Sequence, residues 1–226
     1  ATLRQGQESI SVVVTRAAGG LAAATAFDLG GLVVAKQPQS TDARLVLAVT
    51  VPHGAALGAR TLSFSDASGA VSVPNVVQVG AIASAPAGAD TNPGTTDAPF
   101  RSLKRAIEVA GPGDTIQLSD GAYDEADGET WGYAAPANLT IAGQSTAGTT
   151  LNGPVVDGAV VPGTTGLVAP AGLTVRDLTL SAFDTAISAT GAGAVALTDV
   201  TVSGVLTTAV SARAARYSVT TPSPSG

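Results

Sequence analysis

The 226-residue chain contains no cysteine and no methionine, one histidine and two lysines. Without Cys there is no disulfide framework, no thiolate metal site and no Cys nucleophile, and His53 alone cannot build a cluster of imidazole ligands. Most hydrolytic zinc and triad chemistry is thereby excluded. Charged residues make up 12% of the chain and the net charge is -6. No basic stripe of the kind that tracks phosphate backbones is present, so nucleic acid is not an expected partner. No apolar run approaches the roughly 18 residues of a spanning helix. A chain that opens at Ala1 without a Met anywhere is expected for a processed mature start or an excised piece.

What is abundant is small and apolar: 43 Ala and 27 Gly, in a chain that is 45% hydrophobic. That is too apolar and too weakly charged for a disordered acidic tail, and enough to bury a sizeable core in one or two domains. Residues 1–80 carry short β-branched runs, Ser9–Val14, Leu32–Val34, Leu45–Val51, Thr61–Phe64 and Val71–Val73, separated by Gly, Pro, Asp and Ser. Several alternate with period two, which predicts an antiparallel β-sandwich despite the Ala content. Residues 81–98 lose that pattern and gain turn residues, predicting a linker and a turn into the next domain.

A capping helix is expected over 99–110, from Phe100, Leu103, Ile107 and Ala110 at helical spacing, with Thr96 or Asp97 as its cap and Gly111-Pro112-Gly113 as its stop. Strands are expected at Thr115–Leu118 and Leu139–Ile141. Near the C-terminus the chain repeats itself: Leu173–Ala189 is echoed by Val195–Ala212, with Asp177, Leu178, Leu180 and Ser181 matching Asp199, Val200, Val202 and Ser203 at a spacing of 22. Tyr217–Thr220 begins a third copy. This period, with short strands in each copy, predicts a parallel β-solenoid. Val175, Leu178, Leu180 and Ile187 should point inward and stack on Leu197, Val200, Val202 and Val210, with Thr179 and Thr201 outward.

Two resemblances follow from these residues. Gln5-Gly6-Gln7-Glu8 before an alternating strand, Val51-Pro52-His53-Gly54 and Gly58-Ala59-Arg60-Thr61-Leu62 resemble immunoglobulin-like modules of bacterial secreted and surface proteins. The resemblance implies a spacer or adhesive role for residues 1–80. The run Gly88-Ala-Asp-Thr-Asn-Pro-Gly through Phe100-Arg-Ser-Leu-Lys-Arg-Ala-Ile-Glu-Val-Ala-Gly-Pro-Gly-Asp-Thr-Ile to Gly121-Ala-Tyr123 resembles the start of right-handed parallel β-helix proteins of the pectate-lyase-like superfamily. It implies that the helix plugs the solenoid end and that about four coils fill residues 99–221, before a linker-like tail at 222–226.

Pectate-lyase-like enzymes set a Lys or Arg base beside Ca²⁺-binding carboxylates. On that resemblance Arg176 would be the base and Asp177 and Asp199 the calcium ligands. Against it, Asp177 and Asp199 sit where solenoid coils bend, and Asn138 precedes Leu139 in a similar way, so a ladder of turn residues is the competing expectation. The other cations beyond Lys104 are Arg105, Arg213 and Arg216. The acidic stretch Asp120, Asp124, Glu125, Asp127 and Glu129 offers oxygens for calcium, with Asp120, Asp124 and Asp127 as the candidate ligands, against a solvated loop. Trp131 and Tyr133 are candidate stacking surfaces for a sugar ring, against packing over the first coil. His53, between Pro and Gly, is expected to be a solvated loop residue.

The expected protein is all-β, an immunoglobulin-like β-sandwich followed by a short right-handed parallel β-helix. Its expected role is a non-enzymatic extracellular structural or adhesive module of a bacterial surface, envelope or appendage assembly. The expected partner is another subunit, or further chain, at the C-terminal solenoid end. The alternative is a polysaccharide lyase-like or glycan-binding protein, with polysaccharide as partner and calcium as its cofactor.

Overall fold

A computed structural model describes residues 1–212 and 217–220. Arg213, Arg216 and the 222–226 tail lie outside the described residues. The chain divides into two compact units, Ala1–Gly80 and Ala81–Gly226. No helix among the described residues is long and apolar enough to cross a membrane.

In the first unit seven strands form two sheets. One holds, in spatial order, Thr2–Arg4, Gly69–Gly80, Gly58–Asp66 and Thr25–Asp28, antiparallel except where Thr2 lies beside Gln78 in a parallel pair. The other places Arg44–Thr50 between Ile10–Thr15 and Val33–Lys36, antiparallel to both. Period-two patterning aims Leu45, Leu47 and Val49 of one sheet and Leu62, Phe64, Val77 and Val79 of the other into a common core with Leu3, Leu21 and Leu29. The five runs read from the sequence are all strands. Thr2–Arg4 and Thr25–Asp28 gave no such signal: the first is three residues long, and the second carries Ala26 at φ 54° and a register shift that breaks alternation.

The second unit is a strongly curled, parallel, β-helix-like sheet with three ladders. The first stacks Ile82–Ser84, Thr115–Leu118, Leu139–Gly143, the opening halves of Leu173–Ser181 and Val195–Ser203, and Tyr217–Thr220. The second stacks Gly121–Tyr123, Thr149–Asn152 and the closing halves of the same two long strands. The third stacks Tyr133–Ala134, Thr165–Ala169, Thr185–Ala189 and Thr208–Ala212. The chain visits the ladders in turn, so each circuit is one coil. Val175 lies beside Leu197, Leu178 beside Val200, Leu180 beside Val202 and Ile187 beside Val210, the register the repeat demands. Val175, Leu178, Leu180 and Ile187 are fully buried, whereas Thr201 is exposed and Thr179 partly so.

Three details differ from the sequence reading. The stretch read as a linker contains the strand Ile82–Ser84, paired in parallel with Thr115–Leu118, because Ile82 is a large apolar side chain buried against Ile116 and Leu118. Asp177 and Asp199 do take left-handed φ values of 58° and 51° and stack at the bend between the first and second ladders. Asn138, at φ 56°, sits at a different corner, between the third and first ladders, against Gly172.

The third difference is the helix, which runs over Leu103–Val109 rather than 99–110, with Ser102 as its cap instead of Thr96 or Asp97. Phe100 is held extended: its N–H donates to the Ala83 carbonyl and its own carbonyl accepts from the Ala85 N–H. The Asp90 carboxylate accepts from the N–H groups of Arg101 and Ser102 and from the Ser102 hydroxyl, at 2.8 to 2.9 Å, and so fixes the turn into the helix. Leu103, Ala106 and Ile107 then lie in the same core as Ile82, Ile116 and Leu118. Glu129, only 2% exposed, completes the cap: Oε1 accepts from the Leu103 N–H at 2.6 Å, and Oε2 from the Lys104 N–H at 3.1 Å and the Tyr133 hydroxyl at 2.6 Å. Together with Ser102 Oγ, which accepts from the Arg105 N–H, these carboxylates satisfy the donors that a helix start leaves unpaired.

Coil stacking also dictates particular glycines. A Cβ on Gly143 would lie 2.1 Å from the Asp177 carbonyl oxygen, and one on Gly191 would lie 1.6 Å from that of Pro170. Both obstacles are backbone of the neighbouring coil and cannot rotate away.

Gly143→Ala is therefore expected to destabilise the solenoid by about 1 to 3 kcal/mol through overpacking, read as a lowered urea midpoint. Glu129→Ala strands two helix N–H groups and a phenol, and an expected loss of about 2 to 4 kcal/mol follows from leaving them unpaired. Burial holds the Glu129 carboxyl above its ordinary range, so the native state binds that proton more tightly than the unfolded chain. Its contribution is full below the ordinary glutamate value and lost as pH rises through the native value. Urea unfolding of the protein and of Glu129→Gln across that window should show the balance moving toward the Gln variant as pH rises.

Candidate functional site

The acidic stretch of the first coil does not converge. Asp120 turns toward the second coil, where Oδ1 accepts from the hydroxyls of Ser145 at 2.9 Å and Thr149 at 3.0 Å. Asp124 caps the short 3-10 turn Glu125–Asp127 by accepting from the Ala126 N–H. Glu129 points inward to the helix. Among the described residues no group of three or more His, Asp or Glu side chains is placed to hold a metal ion. Asp120, Asp124 and Asp127 thus form no such group, and the first two are occupied with hydroxyl and backbone donors.

Arg176 and Asp177 are adjacent in sequence and paired: Arg176 Nη1 donates to Asp177 Oδ2 at 2.5 Å, both side chains being partly exposed. Asp199 lies one coil on, and its carbonyl accepts from the Thr146 hydroxyl at 2.8 Å. The left-handed backbone at both Asp positions is what short polar side chains tolerate at a bend. His53 is exposed in a turn, its imidazole against Gly6.

Trp131 and Tyr133 are brought together with residues far away in sequence. Their rings lie 5.7 Å apart, and Trp131 meets Phe183 of the third coil edge-on at 4.8 Å. Tyr133 is committed: its hydroxyl donates to Glu129 and accepts from the Thr130 N–H at 2.7 Å. Burial, followed by the hydrogen bond to Glu129, pushes that phenol far above its ordinary value, so it stays a donor. Trp131 is half-buried and oriented unusually. Its indole Nε1 is shielded from solvent and has no hydrogen-bond partner among the described residues, so the part of the ring that remains open is carbon. Buried indole N–H groups ordinarily find an acceptor, and leaving one unpaired costs free energy.

That open carbon surface lines a groove of about 570 Å³ together with Glu125, Glu129, Thr130, Gly132, Pro154, Gly163, Thr164 and Thr165. The far wall belongs to an insertion between the second and third ladders, the hairpin Val155–Val156 with Ala159–Val160. Asp184 staples this insertion to the third coil: Oδ2 accepts from the Gly163 N–H at 2.5 Å and Oδ1 from the Thr207 hydroxyl, and these bonds hold its carboxyl below the ordinary range. Sequence reading found Trp131 but not Pro154, Thr164 or Thr165. The Asp157-Gly158 turn signal inside Pro154–Gly163 was the available cue that an insertion stood there.

A family model described as a protein of unknown function, DUF1565, matches residues 86–217. A curated relative, the uncharacterized protein YwoF of Bacillus subtilis (strain 168), is 31% identical over 144 residues, which are 55% of this chain and 29% of the relative. The chain thus spans less than a third of that relative's length. No solved structure matches. The matched span takes in the helix, the groove and the repeated coils, and over it the chain belongs to the DUF1565 family.

Proposed function

We propose that this chain is a non-catalytic architectural segment of an extracellular or cell-surface bacterial protein. In this reading an immunoglobulin-like β-sandwich precedes a right-handed parallel β-helix. The strand pairing of the first unit supports the sandwich assignment. With its seven strands lettered A to G in chain order, one sheet reads A-G-F-C and the other B-E-D, which is immunoglobulin-like connectivity with A moved to the G edge. Three parallel ladders visited in turn support the β-helix assignment.

The observation that carries the non-catalytic reading is where the polar side chains of the conspicuous motif go. Asp90 and Ser102 fix the helix start, Asn92 donates to the Pro99 carbonyl, and Asp114 accepts from the Gly111 N–H. Tyr123 donates to the Ser84 carbonyl from full burial. All of this is construction of the first coil, and Arg176, the base of the lyase alternative, is tied to its own neighbour.

A second reading, glycan binding, is favoured by the groove at Trp131 and by nothing at Tyr133, whose hydroxyl is already spent. Its open indole carbon surface is the kind on which sugar rings stack.

Incubation with polygalacturonate and calcium is expected to give no unsaturated-uronate absorbance. A calcium-dependent rise that Arg176→Ala abolishes would overturn the non-catalytic reading. Glycan binding that persists undiminished in Trp131→Ala would overturn the second reading.

A further inference from the structure

From Ala106 to Val175 the chain has no Lys, Arg or His and eight carboxylates. The Trp131 groove is lined from within this stretch, and no basic residue is among the described residues of its wall. Glu125 lines it and also a neighbouring groove of about 290 Å³ on the other side of Pro154. Unlike Asp120, Asp124 and Glu129, the exposed Glu125 carboxylate makes no hydrogen bond or ion pair to another described residue. The groove therefore pairs an uncommitted carboxylate with an indole whose only polar atom is turned away. Those two surfaces share one complementary ligand chemistry.

We propose that the groove between Trp131 and Glu125 binds an organic ammonium group. The indole face attracts a cation through its quadrupole, and Trp is the strongest of the aromatic side chains in this respect. Glu125 supplies the opposite charge, and the Thr164 hydroxyl, which lines the groove and donates its own proton to the Val161 carbonyl, keeps lone pairs that can accept a further N–H. A uronate or phosphate would instead meet carboxylates with no cation among the described residues of the wall, so the same charges that select an amine disfavour acidic polymers. The proposal rests on reading Trp131 as a ligand-facing surface, and it specifies the ligand as amine-bearing.

Because Trp131 is the only tryptophan, its fluorescence reports on the groove without ambiguity. The test titrates the full chain, at mildly acidic pH and low salt, with a glucosamine tetramer, its fully N-acetylated form, tetragalacturonate and Nα-acetyl-lysine amide. The glucosamine tetramer should give a saturable change at an affinity about tenfold above that of the acetylated form, with none from tetragalacturonate. Glu125→Gln, checked by circular dichroism, should weaken that binding about fivefold or more. Lysine amide binding would show that a peptide-borne ammonium is also accepted. Its failure beside a bound tetramer assigns the source to an amino sugar, and either result upholds the proposal. Equal binding of amine and acetylated tetramers would overturn the ammonium inference and leave glycan binding standing. No saturable change with any probe would overturn both. Amine binding unaffected by Glu125→Gln would reduce the effect to diffuse attraction to an acidic protein and overturn the proposal.

Discussion

Parallel strands in a ladder lie about 4.8 Å apart, and every corner of a coil must obey the same spacing as its strands. Backbone therefore passes backbone at van der Waals distance wherever the chain turns. At Gly143, Gly153 and Gly191 a Cβ would fall within about 2.2 Å of an adjacent coil's carbonyl oxygen, and no rotamer relieves such a contact. Where the bend instead needs a left-handed residue, Asn138, Asp177 and Asp199 supply it. The glycines at those corners and the in-register stacking of like residues are consequences of that one spacing.

The same constraint makes the first coil the difficult one, since it has no preceding coil to cover it. The solution is a two-turn helix, too short to be stable on propensity alone and so dependent on its caps and its buried face. Asp90 comes from before it and Glu129 from well after, and the two carboxylates hold the helix start from opposite directions along the chain. This accounts for Glu129, which the sequence sets in an acidic stretch offering oxygens for calcium, and for Asp90 in the turn before the helix. Their negative charge suits the positive end of the helix, and Glu129 is buried because three donors meet it there.

The sequence was most legible where the physics is periodic. Coils three and four lack insertions between their ladders, so matching residues recur at fixed spacing and the register of Val175, Leu178 and Leu180 could be assigned in advance. Coil one is interrupted by the loop between Tyr123 and Tyr133, and coil two by Gln144–Gly148 and the 155–160 hairpin; their strands Gly121–Tyr123, Tyr133–Ala134, Thr149–Asn152 and Thr165–Ala169 are short and poor in alternation. They went unseen. The helix start was misplaced because Phe100 has helical spacing to Leu103 and Ile107, yet its backbone is claimed by Ala83 and Ala85 and its ring by Gly94. At the candidate site Trp131 stood out as a lone aromatic. Its partners did not, because the insertion that brings Pro154 and Thr165 to it has no periodicity to betray it.

That contrast between regular and irregular coils also locates the groove. A surface of stacked identical turns offers no concavity of its own, whereas an insertion on one coil standing beside a loop from another encloses one. Phe183 and Asp184 belong to the regular third coil, and they hold the two irregular walls: the ring edge seats Trp131, and the carboxylate anchors Gly163. The rigid part of the repeat thus fixes the geometry of the part that departs from it. With the indole seated on Phe183 and its N–H buried, rotating Trp131 out of the groove would break the edge-on contact, so the open carbon face is held in place before any ligand arrives.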